Sequence, residues 1–142
     1  MSGIPKWARW DPSALMGARC PVRLCTGPRS LGKTYAMKKV GIKRFLTKGE
    51  TWAYVRYYDT MIDRILLSPD GFLSDIERNN EFPDQRFQMN GRMMQTAYQA
   101  QKDTGTVKWK PKWQNLGQMY ALTSFDSLKG ATTANNTLMV LD

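Results

Sequence analysis

The chain has 142 residues, 21 Lys and Arg against 12 Asp and Glu for a net charge of +9, 42% hydrophobic residues and no histidine. That is one domain's worth of ordinary globular composition, with no apolar run approaching the roughly 20 residues a bilayer needs and no secretory leader in residues 1–6, so a soluble, intracellular protein is expected. The missing imidazole excludes Ser-His-Asp triads, histidine general bases and His-containing zinc sites, while the basic excess favours a polyanionic partner.

In chain order, Trp7, Trp10 and Leu15 are apolar anchors around Asp11-Pro12-Ser13, where Asp11 predicts the start of a short helix with Pro12 inside it. Cys20 and Cys25 are too few for a disulfide framework or a Cys-only zinc site and read as small buried side chains. Val22-Arg23-Leu24-Cys25-Thr26 is a β-favouring run, cut by Gly27-Pro28, and the Pro-free stretch 32–48 then predicts a helix. Met37, Val40 and Phe45 share one face of that helix, Lys38, Lys39, Lys43 and Lys48 fall mostly elsewhere, and Gly49 stands at the C-terminal cap. The aromatic and β-branched run 51–57 is a second strand, which makes a βαβ unit.

From 59 to 78 the spacing of Met61, Ile62, Ile65, Leu66, Phe72, Leu73 and Ile76 predicts two short helices broken at Ser68-Pro69-Asp70-Gly71. Asn90-Gly91 between two strand-like runs predicts a hairpin. Residues 99–115 are polar and lysine-rich and read as loop or irregular hairpin, with Lys102, Lys108, Lys110 and Lys112 interleaved with Trp109 and Trp113. Such a segment either touches nucleic-acid phosphates or is a solvated loop with its tryptophans tucked into the core. A strand over 118–122, a short helix and loop over 124–136, and a buried parallel strand over 137–141 complete the prediction.

One motif carries chemistry. Gly27-Pro28-Arg29-Ser30-Leu31-Gly32-Lys33-Thr34 matches G-x-x-x-x-G-K-S/T at every fixed position, with a predicted strand before it and a helix after it. The glycines let successive backbone N–H groups wrap a triphosphate, and the helix N-terminus adds its dipole. Residues 27–35, ending with Tyr35, are therefore the candidate ATP-binding segment, with Lys33 on the β- and γ-phosphates and the Thr34 hydroxyl on Mg²⁺. The apolar strand Leu138-Met139-Val140-Leu141 delivering Asp142 has the form of a Walker B strand, whose aspartate holds Mg²⁺ through water. The expected fold class is α/β, a P-loop NTPase with a mostly parallel sheet, incomplete at the C-terminus. Residues 1–142 are then the N-terminal part of an ATPase domain whose remaining strands lie beyond Asp142. Trp7 and Trp10 either flank the adenine or serve as a subunit contact or core staple.

The run Trp10-Asp11-Pro12, the segment Thr26-Gly27-Pro28-Arg29-Ser30-Leu31-Gly32-Lys33-Thr34-Tyr35-Ala36-Met37-Lys38, then Arg44-Phe45, Lys48-Gly49-Glu50 and Tyr54-Val55-Arg56 also resemble a known family. They are similar to the N-terminal ATPase domain of the DNA-encapsidation proteins of small tailed bacteriophages, terminase-like packaging motors. The resemblance runs without gaps from Trp10 to Tyr58, is looser in the middle, and returns over 137–142. It implies a RecA-like (ASCE) three-layer sandwich followed by a nuclease-like domain. It also implies a pentameric homo-oligomeric ring that uses ATP hydrolysis to push double-stranded DNA through a portal into a procapsid, in the host cytoplasm and with no membrane involved. Arg29 corresponds to a basic residue that senses or positions the phosphates, which with Lys33 and Asp142 gives the implied catalytic set. Lys129 matches a lysine facing the DNA channel. Asp59 stands where the family can carry a basic residue, and the segment 102–113 has no clear counterpart. Two other classes use a P-loop: a small-molecule kinase, which needs no basic excess, and a nucleic-acid-binding module that holds an anion without hydrolysing it.

Overall fold

The computed structural model describes residues 10–19, 23–25, 32–68, 71–98, 112–124 and 136–142. Helices α1 (Ser13–Gly17), α2 (Lys33–Lys48), α3 (Asp59–Leu67) and α4 (Ser74–Arg78) accompany strands β1 (Thr51–Arg56), β2 (Gln85–Asn90), β3 (Met93–Tyr98), β4 (Gln114–Ala121) and β5 (Asn136–Leu141). The strands form one sheet in the order β2-β3-β4-β1-β5. β1 is central to its parallel part, paired with β4 on one side and β5 on the other, whereas β2, β3 and β4 pair antiparallel.

The predicted helix over 32–48, its glycine cap, the two short helices and the hairpin are all present. The helix α2 is closed by the Gly49 N–H donating to Phe45 C=O at 2.8 Å. The hairpin turns on Gly91-Arg92, with Asn90 still paired to Met93. Gly91 has φ +59, a conformation that suits glycine at the first position of a two-residue turn.

Several expectations are corrected. The sheet is mixed rather than mostly parallel, because the hairpin adds an antiparallel ribbon to β4. Residues 23–25 join no strand, and Leu24 is 87% exposed, so at these positions the β-favouring run has no ladder to bury it. The βαβ unit therefore has no first strand among the described residues. The strand expected over 118–122 begins at Gln114, and Leu122 lies in the short turn after it. β5 runs parallel as expected but is not buried: Met139 and Leu141 are exposed while Leu138 and Val140 pack inward. Pro12 is the N-cap of α1 rather than inside it; Asp11 Oδ1 accepts from the Ser13 N–H at 2.9 Å.

Side chains alternate across a strand, and the pairing register places Trp52 and Tyr54 of β1 level with Gly117 and Met119 of β4 and with Leu138 and Val140 of β5. This face meets Ile42 of α2, Ile62 of α3 and Ile76 of α4 in the main core. Ala53, Val55 and Tyr120 form a smaller buried cluster, so β1 is buried through both faces, as a central strand of a parallel segment is.

Trp52 requires two glycines. A Cβ on Gly41 would sit 2.5 Å from the indole Cδ2, and one on Gly117 would sit 2.4 Å from the Trp52 carbonyl oxygen. Gly41→Ala is expected to lower unfolding stability by about 1 kcal/mol, since overpacking of about 2 kcal/mol exceeds the roughly 1 kcal/mol of helix propensity that alanine contributes. A lower denaturation midpoint at unchanged m-value verifies this, and a midpoint equal to or above that of the parent refutes it.

Candidate functional site

Alternation along β5 brings Asp142 to the same sheet face as Leu138 and Val140, at the C-terminal end of the parallel strands. Its N–H donates to Val55 C=O at 3.1 Å, which registers the terminal residue against β1. Its carboxylate is met by α2. The Thr34 hydroxyl donates to Asp142 Oδ2 at 2.9 Å across 108 positions of sequence. The same oxygen accepts from the Tyr54 hydroxyl at 2.6 Å and has Arg56 Nη1 at 3.5 Å. Burial, and then this bond to a carboxylate, push the Tyr54 phenol well above the usual tyrosine range.

At the start of α2, Gly32 has φ +80 and is the N-cap, with no side-chain cap and no acidic residue in the first turn. The first intrahelical bond is Ala36 N–H to Gly32 C=O at 2.9 Å, so the amides of the turn before it lie outside the helix ladder. The positive end of the helix dipole therefore meets Lys33 with no carboxylate supplied by the first turn, an arrangement suited to an anion.

The helix is held from behind. The α2 lysines lie mostly off the core face as expected, Lys43 and Lys48 being exposed, but Lys38, one turn after Thr34, is buried. Its Nζ donates to Phe72 C=O at 2.6 Å, pairs with Asp75 at 3.1 Å and lies 4.3 Å from the Phe72 ring centroid. The Tyr35 hydroxyl donates to Glu81 Oε1 at 2.7 Å and accepts from Asn79 Nδ2 at 3.0 Å, and Lys39 pairs with Glu81 at 3.0 Å. Burial first, then the Glu81 carboxylate, push the Tyr35 phenol up to about 12.

Among the predicted site residues, the structure thus brings Thr34 and Asp142 together, with Gly32, Lys33 and Tyr35 beside them on α2. Gly27, Pro28, Arg29, Ser30, Leu31 and Lys129 lie outside the described residues, as do Trp7, Lys102, Lys108, Trp109 and Lys110. Trp10 is half-buried and lines an open cleft of about 460 Å³ with Leu15, Arg23 and Cys25. A larger cleft of about 630 Å³ lies between α4 and β2 and is lined by none of the predicted site residues. Asp59 has a structural use: it pairs with Arg92 of the hairpin turn at 2.7 Å and accepts from Ser124 at 3.2 Å. The Arg92 guanidinium holds its carboxyl below the usual range.

Sequence motifs missed Tyr54 and Arg56 as parts of this site. The available signal was β1 itself, whose alternation places 52, 54 and 56 on the helix-covered face and ends it beside the terminal aspartate. No group of three or more Cys, Asp or Glu among the described residues could hold a metal alone. The Thr34 hydroxyl and the Asp142 carboxylate, brought together by their 2.9 Å hydrogen bond, are hard oxygen donors of the kind Mg²⁺ takes. The pair therefore fits Mg²⁺ shared with the oxygens of a ligand. No helix among the described residues is long and apolar enough to cross a membrane.

Residues 6–119 match the model of the family described as podovirus DNA encapsidation protein (Gp16). The DNA packaging protein of Bacillus phage B103 is 42% identical over 66 residues, 46% of this chain and 19% of that protein. The DNA packaging protein of Bacillus phage phi29 is 30% identical over 83 residues, 58% and 23% of the two chains. Among solved structures, the N-terminal domain of the DNA packaging ATPase from bacteriophage phi29 is similar with a TM-score of 0.60 at 27% identity, covering 81% of this chain and 48% of that one. The bacteriophage phi29 viral genome packaging motor assembly shares the fold with a TM-score of 0.69 at 24% identity, over 95% and 35% of the two chains. The chain spans about a fifth of the length of these curated relatives.

Proposed function

We propose, from the premise that the chain belongs to the podovirus DNA encapsidation protein (Gp16) family, that it is the nucleotide-binding part of an ATP-driven motor that moves double-stranded viral DNA into a procapsid. The observation that carries this reading is the meeting of Thr34 and Asp142, the two oxygen donors of a P-loop metal site, at the dipole-positive end of α2. Membership of a DNA-encapsidation family and a net charge of +9 favour a DNA partner over the small phosphorylated substrate of a kinase.

In this reading the parallel strands β4, β1 and β5 are part of a RecA-like P-loop core. The backbone amides of residues 27–34 cradle the phosphates of ATP, Lys33 neutralises their charge and Arg29 senses them. Thr34 and Asp142 hold Mg²⁺, directly or through water, and the ion draws off charge from the phosphate oxygens. The Thr34 hydroxyl can offer a lone pair to the ion while its own proton stays hydrogen-bonded to Asp142 Oδ2. Arg56 and Tyr54 hold that aspartate. Lys129 contacts DNA phosphates without reading sequence, which suits transport of any DNA. The motor works in the host cytoplasm as a ring of five copies docked on the portal of the procapsid.

The test is ATP turnover by a chain that continues past Asp142, with and without duplex DNA. Turnover stimulated by DNA, and less so at higher salt, is the expected result. Turnover indifferent to DNA removes the motor, and failure to bind ATP removes the nucleotide site.

A further inference from the structure

We infer that Tyr54 is a positioning residue for the metal-site carboxylate, holding Asp142 by one oxygen so that the other stays open to a divalent cation or to a water in its shell. The inference rests on the nucleotide and Mg²⁺ reading above.

Tyr54 is 2% exposed, and its ring is fixed between Trp52, edge-on with centroids 6.4 Å apart, and Phe72 at 4.7 Å. A hydroxyl on so confined a ring points one way, and it points at Asp142 Oδ2, 2.6 Å away. A bond of that length from a neutral donor to a carboxylate belongs to the short, strong class. Thr34 and Arg56 converge on the same oxygen, at 2.9 and 3.5 Å. Among the described residues Oδ1 accepts nothing. The carboxylate is therefore gripped through a single atom and presents the other.

The three grips differ in kind. Thr34 is itself a proposed ligand of the ion, and Arg56 is long-range and not well aligned. Tyr54 is the buried, rigid one and takes no place in the ion's own shell. Without its hydroxyl the carboxylate could swing about its Cα–Cβ and Cβ–Cγ bonds at the C-terminal end of β5. Groups that orient a ligand in this way typically change metal affinity by 10- to 100-fold when removed.

The experiment is a Mg²⁺ titration of the protein with a fluorescent ADP analogue, in the parent, Tyr54→Phe, Asp142→Asn and the double variant. Tyr54→Phe deletes one oxygen and keeps the ring packed on Trp52 and Phe72, and thermal unfolding monitors the fold. Tyr54→Phe is expected to raise the half-saturating Mg²⁺ concentration about tenfold while leaving the metal-free affinity for the analogue unchanged. On the Asp142→Asn background the same change is expected to add nothing. An unaltered Mg²⁺ titration overturns the inference, and so does a tenfold loss that persists without the carboxylate, which would be a packing effect. A parent protein that binds the analogue with no response to Mg²⁺ fails the metal reading itself, an outcome distinct from a normal parent response with an unaffected Tyr54→Phe.

Discussion

Replacing Lys33 with alanine is expected to weaken ATP binding about a hundredfold while leaving the unfolding midpoint close to that of the parent. A charge-assisted hydrogen bond to phosphate contributes roughly 1.5–3 kcal/mol, and each 1.4 kcal/mol is tenfold in affinity. Lys33 opens α2, where a positive charge opposes the helix dipole, so removing it relieves an unfavourable contribution to the helix. Calorimetric titration with Mg²⁺ and ATP, set beside a thermal melt, separates the two effects. Unchanged affinity in a folded variant would return residues 27–34 to the status of a glycine-rich helix cap.

The second large effect concerns stability. Asp75→Ala is expected to destabilise the protein by about 3 kcal/mol, because removing one partner of a buried pair leaves the other as an uncompensated charge. Lys38 Nζ would keep only Phe72 C=O at 2.6 Å and the face of that ring. The Asp75 side chain is 31% exposed, which places the expected loss at the lower end of the range for buried pairs. Lys38→Met, which fills the same space without a charge, is expected to cost less, because the carboxylate it leaves behind is 31% exposed and can be solvated. Equal losses in the two variants, read from denaturant unfolding, would contradict this account.

The pair also has a pH signature. Burial lowers the Lys38 pKa from its ordinary value and Asp75 opposes that shift. A depressed lysine binds fewer protons when folded than when unfolded, so stability rises with pH between the folded pKa and the ordinary value near 10.5. Without Asp75 the depression deepens and the window extends to lower pH. The deficit of Asp75→Ala should therefore shrink as pH rises through the folded-state lysine pKa of the variant and then of the parent, both below the ordinary lysine value, and stay level above them. A deficit independent of pH would show that the lost carboxylate acted only through packing.

How much of this was legible in advance depended on how local each cause is. The Gly49 cap, the Asn90-Gly91 hairpin and the two short helices over 59–78 follow from turn chemistry and spacing within a few residues, and all are present. The side of β5 on which Asp142 falls was legible too, since strict alternation from Leu138 decides it. Partners across the sheet were not. Nothing in Val22-Arg23-Leu24-Cys25-Thr26 says whether a neighbouring ladder exists, and nothing in the hairpin sequence says that it will join β4 antiparallel. Lys38 and Lys39 look alike in a row of basic residues, yet one is buried on Asp75 and the other reaches Glu81 from the surface. Nothing in the sequence around Gly41 says that Trp52 occupies the place of its missing side chain. Tyr54 reads as one more aromatic in the β-favouring run 51–57, because its role depends on a residue 88 positions away.

Four residues of the first two turns of α2 take partners from three later stretches of chain: Thr34 from Asp142, Tyr35 and Lys39 from Glu81, and Lys38 from Asp75. These anchors surround the helix like guy ropes, so it cannot roll about its own axis without breaking several of them at once. Gly32, whose left-handed backbone stands at the start of this tethered helix, is the joint at which its direction is set. A load arriving at the front of this helix is passed to α4 and the sheet as a rigid push.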